Sequence, residues 1–190
     1  MILNSKGGAG KTTLATNLAC YYLRQGFKTA LVDFDPQGSS TFWAKERPSH
    51  LGTVQLIEAS KQPMGVTGAK YFMPEPGTQI TVVDTSAGMD VVNNSAEIQK
   101  SDVILIPVLP SPIDMDSATK LIADLLLKVR LNRSKARIAV VANRCRKNTV
   151  SFRKLKLFLH SLNIPFIGVI WDSQFYVRTC EKGAGIFDLP

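Results

Sequence analysis

The sequence predicts an α/β fold, a mostly parallel, twisted sheet with helices on both faces. Two observations carry that expectation. Apolar β-type runs alternate with helical runs along the chain, the pattern of parallel strands joined by helical crossovers. A glycine-rich loop also stands between the first apolar segment and the first helical one, the place such a loop needs in order to hold phosphate. The elements follow in order. Met1-Ile2-Leu3 is a short first strand, and a helix follows over 11–25. Further strands are expected at 28–33, 79–84, 102–108, 136–142 and 166–170, and further helices at 90–100, 114–130, 149–161 and 174–181. The stretch from Pro48 to Gly77 has several Pro and Gly and no clear period, so it reads as a loop-rich excursion with one short helix.

Lys6-Gly7-Gly8-Ala9-Gly10-Lys11-Thr12-Thr13 is the most informative stretch. Its glycines let the backbone curl so that successive N–H groups face phosphate oxygens. The following helix adds the positive end of its dipole. Lys11 supplies a point charge for the β- and γ-phosphates, and the Thr12 hydroxyl can reach a Mg²⁺. The motif is that of a P-loop NTPase. Lys6 is a second cation in the same loop, and its charge calls for extra negative charge at the site.

Three carboxylates stand at predicted strand ends. The apolar run Thr29 to Val32 ends at Asp33 and Asp35, spaced i, i+2 on one face of the strand. Ile80-Thr81-Val82-Val83 ends at Asp84. The carboxyl ends of parallel strands are where open α/β sheets bind ligands. A strand-end aspartate also serves as a helix cap or turn residue.

The 190 residues suit one domain, 1–190. No apolar stretch is long enough to span a bilayer, and the early loop is unlike a signal peptide. Cys20, Cys145 and Cys180 show neither metal-ligand spacing nor a disulfide framework, which suits a reducing cytoplasm. The net charge is +8. Lys128 to Lys156 holds eleven Lys or Arg and no acid, leaving the rest of the chain at −3. That block is either the footprint of a polyanion or a solvated basic face. Its spread over helix, loop and strand end suits phosphate contact more than base reading.

Lys-Gly-Gly-x-Gly-Lys-Thr-Thr at 6–13 resembles the deviant Walker A loop of the ParA/MinD family of positioning ATPases. The likeness is closest to small ParA-type members without an N-terminal DNA-binding domain, and it covers nearly the whole chain. It implies ATP and Mg²⁺ as ligands, held by Gly7, Gly8, Ala9, Gly10, Lys11, Thr12 and Thr13. It implies that Lys6 reaches across a sandwich homodimer to the partner's nucleotide. It implies that Asp33 helps hold the Mg²⁺ water shell, that Asp84 meets the ion through water, and that Asp35 orients the attacking water. Ser86-Ala87-Gly88 resembles the family's switch loop. Pro107 to Asp114 resembles its proline-containing loop near the dimer interface. Asn143 resembles the residue that recognises adenine, although an Asn at a strand end is also a common turn residue.

The same resemblance implies nonspecific DNA binding, with Arg130, Arg133, Arg146, Lys147, Arg153, Lys154, Lys156, Arg178 and Lys182 as candidates. It implies a ParB-like or other cargo-adaptor partner that stimulates hydrolysis, and a nucleoid-associated location. The last residues, Phe187 to Pro190, lack the amphipathic pattern by which MinD-type members hold membrane. A MinD-like membrane-cycling regulator and a small-molecule phosphotransferase are the competing expectations.

Overall fold

The computed structural model describes residues 1–61, 73–131 and 137–189. The chain packs as two compact units. The first contains Met1–Lys11 and Ser86–Asp172, and the second contains Thr12–Thr85 and Ser173–Pro190.

In the second unit, α1 (Lys11–Arg24, in this unit from Thr12 on) leads to β1 (Thr29–Asp33), then α2 (Ser39–Glu46), β2 (Gln55–Glu58) and β3 (Ile80–Asp84). The sheet order is β2-β1-β3, all parallel. The central strand β1 is buried along its whole length, as its unbroken apolar run demands. Ala30, Val32, Ile57 and Ala59 form a core with Phe34 and Val83 against it. Trp43 of α2 is fully buried and donates its Nε1 hydrogen to the Ala184 carbonyl 3.0 Å away. The final helix, α6 (Gln174–Cys180), belongs to this unit and is capped by Ser173.

The tail after α6 is latched to this unit by a buried ion pair. Arg47 donates to both carboxylate oxygens of Asp188, at 2.8 and 3.3 Å. It also donates to the carbonyls of Gly183, Leu51 and Gly52, and lies over the Trp43 ring. Gly183 (φ 61°) passes so close that a Cβ there would stand 2.3 Å from the Arg47 nitrogen.

In the first unit, α3 (Ser95–Lys100) precedes β4 (Ile104–Val108). Then come α4 (Pro112–Leu127), β5 (Ile138–Cys145), α5 (Val150–Ser161) and β6 (Phe166–Trp171). The order is β4-β5-β6, again parallel. Ile2 bridges in parallel to Leu105 on the remaining side of β4. Ser111 caps α4 and Pro112 opens it, where a missing N–H costs nothing. Thr149 caps α5 in the same way. The core runs from Leu3 through Ile104, Ile106, Leu121, Leu125 and Val140 to Leu155 and Leu159.

The α/β class and parallel sheets are as expected. Three details differ. The first strand contracts to the Ile2 bridge, because only Met1–Leu3 pairs with Leu105 before the loop begins. The helix α2 and the strand β2 were not expected. Strand β2 carries few branched apolar residues and is held by its pairing with β1, so tertiary contact supplies what local propensity does not. Within 90–100, only Ser95–Lys100 is helical, since Asp90 ties the preceding residues into a turn through its carboxylate and the N–H groups of Val92 and Asn93.

Candidate nucleotide site and its surroundings

The loop after Leu3 is fixed from within. Asn4 is fully buried, donates to the Pro107 carbonyl at 2.7 Å and accepts from the Lys6 N–H at 2.9 Å. Gly8 and Gly10 both take positive φ. A Cβ at Gly10 would stand 2.1 Å from the Asn143 amide nitrogen, so the close approach admits glycine alone. Asn143 donates to the Ala9 carbonyl at 2.7 Å and accepts from the Arg144 N–H at 2.9 Å. The residue expected at adenine thus also props the loop from behind, and only 2 % of its surface is exposed. Lys11 is buried, with its ammonium 3.2 Å from the Lys6 carbonyl. Gly7 faces Ala87 of the expected switch segment.

Lys6 does not point away from its own chain. Its ammonium donates to Asp114 Oδ2 at 2.8 Å. Asp114 is 2 % exposed, and the Ser111 hydroxyl donates to the same oxygen. Asp114 was not among the expected site residues. The signal was legible: Ser111-Pro112-Ile113-Asp114 is a helix start with an acid at its third residue, near the shape of a capping box.

Thr12 and Thr13 stand in the first turn of α1. Asp33 and Asp84 are fully buried and are register partners on adjacent parallel strands. Asp33 accepts from the N–H groups of Thr41 (2.8 Å) and Asp35 (2.9 Å), one on each oxygen. Each oxygen has a further lone pair. Two neighbouring buried carboxylates need positive charge nearby, and their hard oxygens fit Mg²⁺ through water. Asp35 is half-buried at the start of a turn, and its carboxylate accepts from the Gln37 N–H.

All the described basic candidates are exposed. Arg130 follows α4 in a left-handed conformation. Arg146 and Lys147 lie on the loop after β5, and Arg153, Lys154 and Lys156 lie on α5. Arg146 pairs with Asp172 at 2.9 Å, and Lys147 lies over the Trp171 ring. Arg178 and Lys182 lie on and after α6 in the other unit. Arg133 lies outside the described residues. Among the described residues no helix is long and apolar enough to cross a membrane.

Burial raises the Cys20 thiol to about 12 and the Cys145 thiol to about 11, so both are inert core thiols. Among the described residues no three His, Cys, Asp or Glu side chains gather as a metal cluster.

A loop propped by Asn143, with two lysines and a helix directly after it, is a nucleotide cradle in form. Residues 1–185 match the CobQ/CobB/MinD/ParA nucleotide binding domain. The chain belongs to that family. It is 28 % identical over 189 residues to the maintenance of carboxysome distribution protein A of Halothiobacillus neapolitanus, covering 99 % of this chain and 86 % of that protein. It is 32 % identical over 114 residues to the chromosome-partitioning ATPase Soj of Thermus thermophilus, covering 58 % of this chain and 45 % of Soj. In that second match the aligned segment spans less than half of the relative. A plasmid partition protein of Borrelia burgdorferi, solved with AMPPNP, superposes with a TM-score of 0.74 at 22 % identity, covering 99 % and 90 % of the two chains. MinD of Aquifex aeolicus gives 0.72 at 18 %, covering 97 % and 86 %. The two likenesses show a common P-loop α/β fold.

Proposed function

We propose that this chain is a single ATPase domain of the positioning type, which closes as an ATP-dependent homodimer, binds DNA without sequence preference and hydrolyses ATP to move or place a cargo. The observation that carries this reading is the double-lysine loop, with Lys11 buried inside it and Lys6 at its mouth. Support comes from the family itself and from relatives whose names speak of partitioning and of carboxysome distribution.

The residues divide the work. The N–H groups of Gly7 to Thr13 and the Lys11 ammonium hold the phosphates. Asn143 props the loop and turns its unused amide hydrogen and lone pair toward a purine edge. Thr12, Asp33 and Asp84 would hold Mg²⁺, which neutralises phosphate charge as it develops. Asp35 orients the attacking water, a task of positioning more than of strong base catalysis. Lys6 leaves its own chain and meets the partner's phosphates. Closure doubles the basic surface, so affinity for DNA rises by summed contacts. An adaptor protein stimulates hydrolysis, which dissolves the dimer. The setting is the cytoplasm, on the nucleoid.

The decisive experiment measures mass in solution and DNA binding together, in ATP, ADP and no nucleotide, at two salt concentrations. A dimer and salt-sensitive DNA binding seen only with ATP, both lost in Lys6→Ala, is the expected result. A wild-type chain that stays monomeric with ATP would sink the proposal. Liposome pelleting with ATP tests the membrane-cycling alternative in the same preparation.

A further inference from the structure

Behind the Lys6–Asp114 pair lies an open cleft of about 310 Å³ in the first unit. Leu109, Pro110, Ser111 and Asp114 line it together with Arg144, Arg146, Thr149, Ser151 and Asp172. Two features of this cleft are not used by the proposed ATPase cycle.

The first is Asp114 Oδ1. It is buried and has no hydrogen-bond partner among the described residues, while Oδ2 takes both Lys6 and Ser111. A buried carboxylate oxygen without a donor is costly, more so than an uncharged one. The second is the arginine wall. Arg144 is held in the left-handed region (φ 49°), an uncommon conformation for a residue with a side chain, and its side chain is exposed. Arg144 and Arg146 share a single carboxylate, Asp172, at 3.9 and 2.9 Å. Two guanidiniums offer many more donors than one carboxylate uses.

The cleft therefore asks for a donor at Asp114 and an acid at the arginines. A lone cation would meet the arginines' repulsion, and a lone anion would meet Asp114. A ligand carrying both signs satisfies each wall. When Lys6 crosses to a second copy, as the functional reading requires, Asp114 loses the one cation paired with it among the described residues and needs another more strongly still.

We propose that this cleft docks a polypeptide segment of a partner protein in which an arginine or lysine stands close to an acidic residue, the cation taking the place on Asp114 that Lys6 vacates and the acid pairing with Arg144 and Arg146. The exchange rests on the functional reading above. It makes the partner a wedge that favours Lys6 in its crossed position, because cation and Lys6 compete for one carboxylate. The coupling is reciprocal: whatever draws Lys6 away tightens the segment's binding by the same factor.

The test uses the whole chain without nucleotide, so it does not depend on dimerisation. The probe is an acetylated, amidated Arg-Gly-Glu tripeptide, titrated while the backbone amide resonances of Ser111, Asp114 and Arg144 are followed. The expected result is weak saturable binding that tightens about tenfold in Lys6→Ala, where Asp114 is bared. Asp114→Asn should lose it, and a Gln in place of either charged peptide residue should weaken it several-fold. No saturable shift in Lys6→Ala, or unchanged binding in Asp114→Asn, would overturn the site. Should Asp114→Asn fail to fold, Arg144→Gln with Arg146→Gln decides: the tripeptide must lose its advantage over Arg-Gly-Gln, and retention of that advantage overturns the arginine wall. Free L-arginine binding as tightly as the peptide would overturn the polypeptide assignment. A Lys6→Ala chain that still dimerises with ATP but captures the tripeptide would refute the functional reading and leave the docking site standing.

Discussion

The ammonium of Lys6 sits 2.8 Å from the buried carboxylate of Asp114, on a helix more than a hundred residues further along the same chain. In the proposed cycle, the pair makes dimerisation a contest between two anions, the carboxylate in hand and the phosphates of another copy. Releasing the lysine should tilt that contest. Asp114→Asn is expected to lower the ATP concentration needed for half-dimerisation about tenfold, equivalent to ~1.4 kcal/mol and near the low end for a charge-assisted hydrogen bond. Lys6→Ala is expected to give no dimer at any ATP concentration. Light scattering across an ATP titration reads both, and an Asp114→Asn curve lying on the wild-type one would show that the pair does not restrain Lys6.

Gly10 and Asn143 fix the shape of the phosphate loop. Any side chain at Gly10 meets the Asn143 amide, and its φ of 88° is unfavourable for every residue but glycine. Gly10→Ala should cost about 1–3 kcal/mol of stability and remove ATP binding, read by thermal unfolding and by a fluorescent ATP analogue. Asn143→Ala should weaken nucleotide binding while φ at Gly10 remains allowed, so its stability loss should be the smaller of the two. A Gly10→Ala chain that binds ATP normally would mean that the loop yields more easily than its packing shows.

Asp35 is the candidate for the hydrolytic step, and it is half-buried at a turn with its backbone N–H already given to Asp33. Asp35→Ala should leave the fold and ATP binding intact and cut phosphate release about a hundredfold, the lower end for a group that positions and deprotonates water. The ATP-bound dimer should then persist on DNA. Normal turnover in this variant would take Asp35 out of the mechanism.

What could be read from the residues was whatever is local in the chain. The phosphate loop, the acids Asp33 and Asp84 and five of the parallel strands all announce themselves by spacing or by unbroken apolar runs. The helix α2 and the strand β2 do not, since Ser39–Glu46 has no strong apolar stripe and Gln55–Glu58 owes its extension to its pairing with β1. Contacts between distant residues were equally silent. Nothing near Lys6 in sequence names Asp114, and nothing near Arg47 names Asp188. Asn143 was legible as a strand-end residue, but its grip on Ala9 depends on β5 running up behind the loop.

Arg153, Lys154 and Lys156 are exposed on α5, whose Leu155 and Leu159 are buried. Replacing all three with alanine should weaken binding to every DNA sequence alike and leave ATP binding unchanged. If each meets one phosphate, the slope of log affinity against log salt should fall by about three. Fluorescence anisotropy with two unrelated duplexes over a salt series measures this. An unchanged slope would move the DNA face off α5.

Arg47 and Asp188 are both about 2 % exposed in their side chains, so the tail is held by a pair almost out of water. Burial alone would raise the Asp188 pKa, but the Arg47 guanidinium and the Gly185 N–H outweigh it and hold the carboxyl below the aspartate value of 3.8. A folded pKa below the unfolded one means that the unfolded chain takes up the proton first. The pair's contribution is then complete above the unfolded value and is lost as pH falls through the folded one. Wild-type thermal midpoints should therefore drop more steeply than those of Asp188→Asn on the way from neutral pH to about pH 3. Arg47→Ala should lose about 3–5 kcal/mol relative to wild type at neutral pH, because it strands a buried carboxylate. Parallel acid limbs for wild type and Asp188→Asn would show that the latch does not set acid stability.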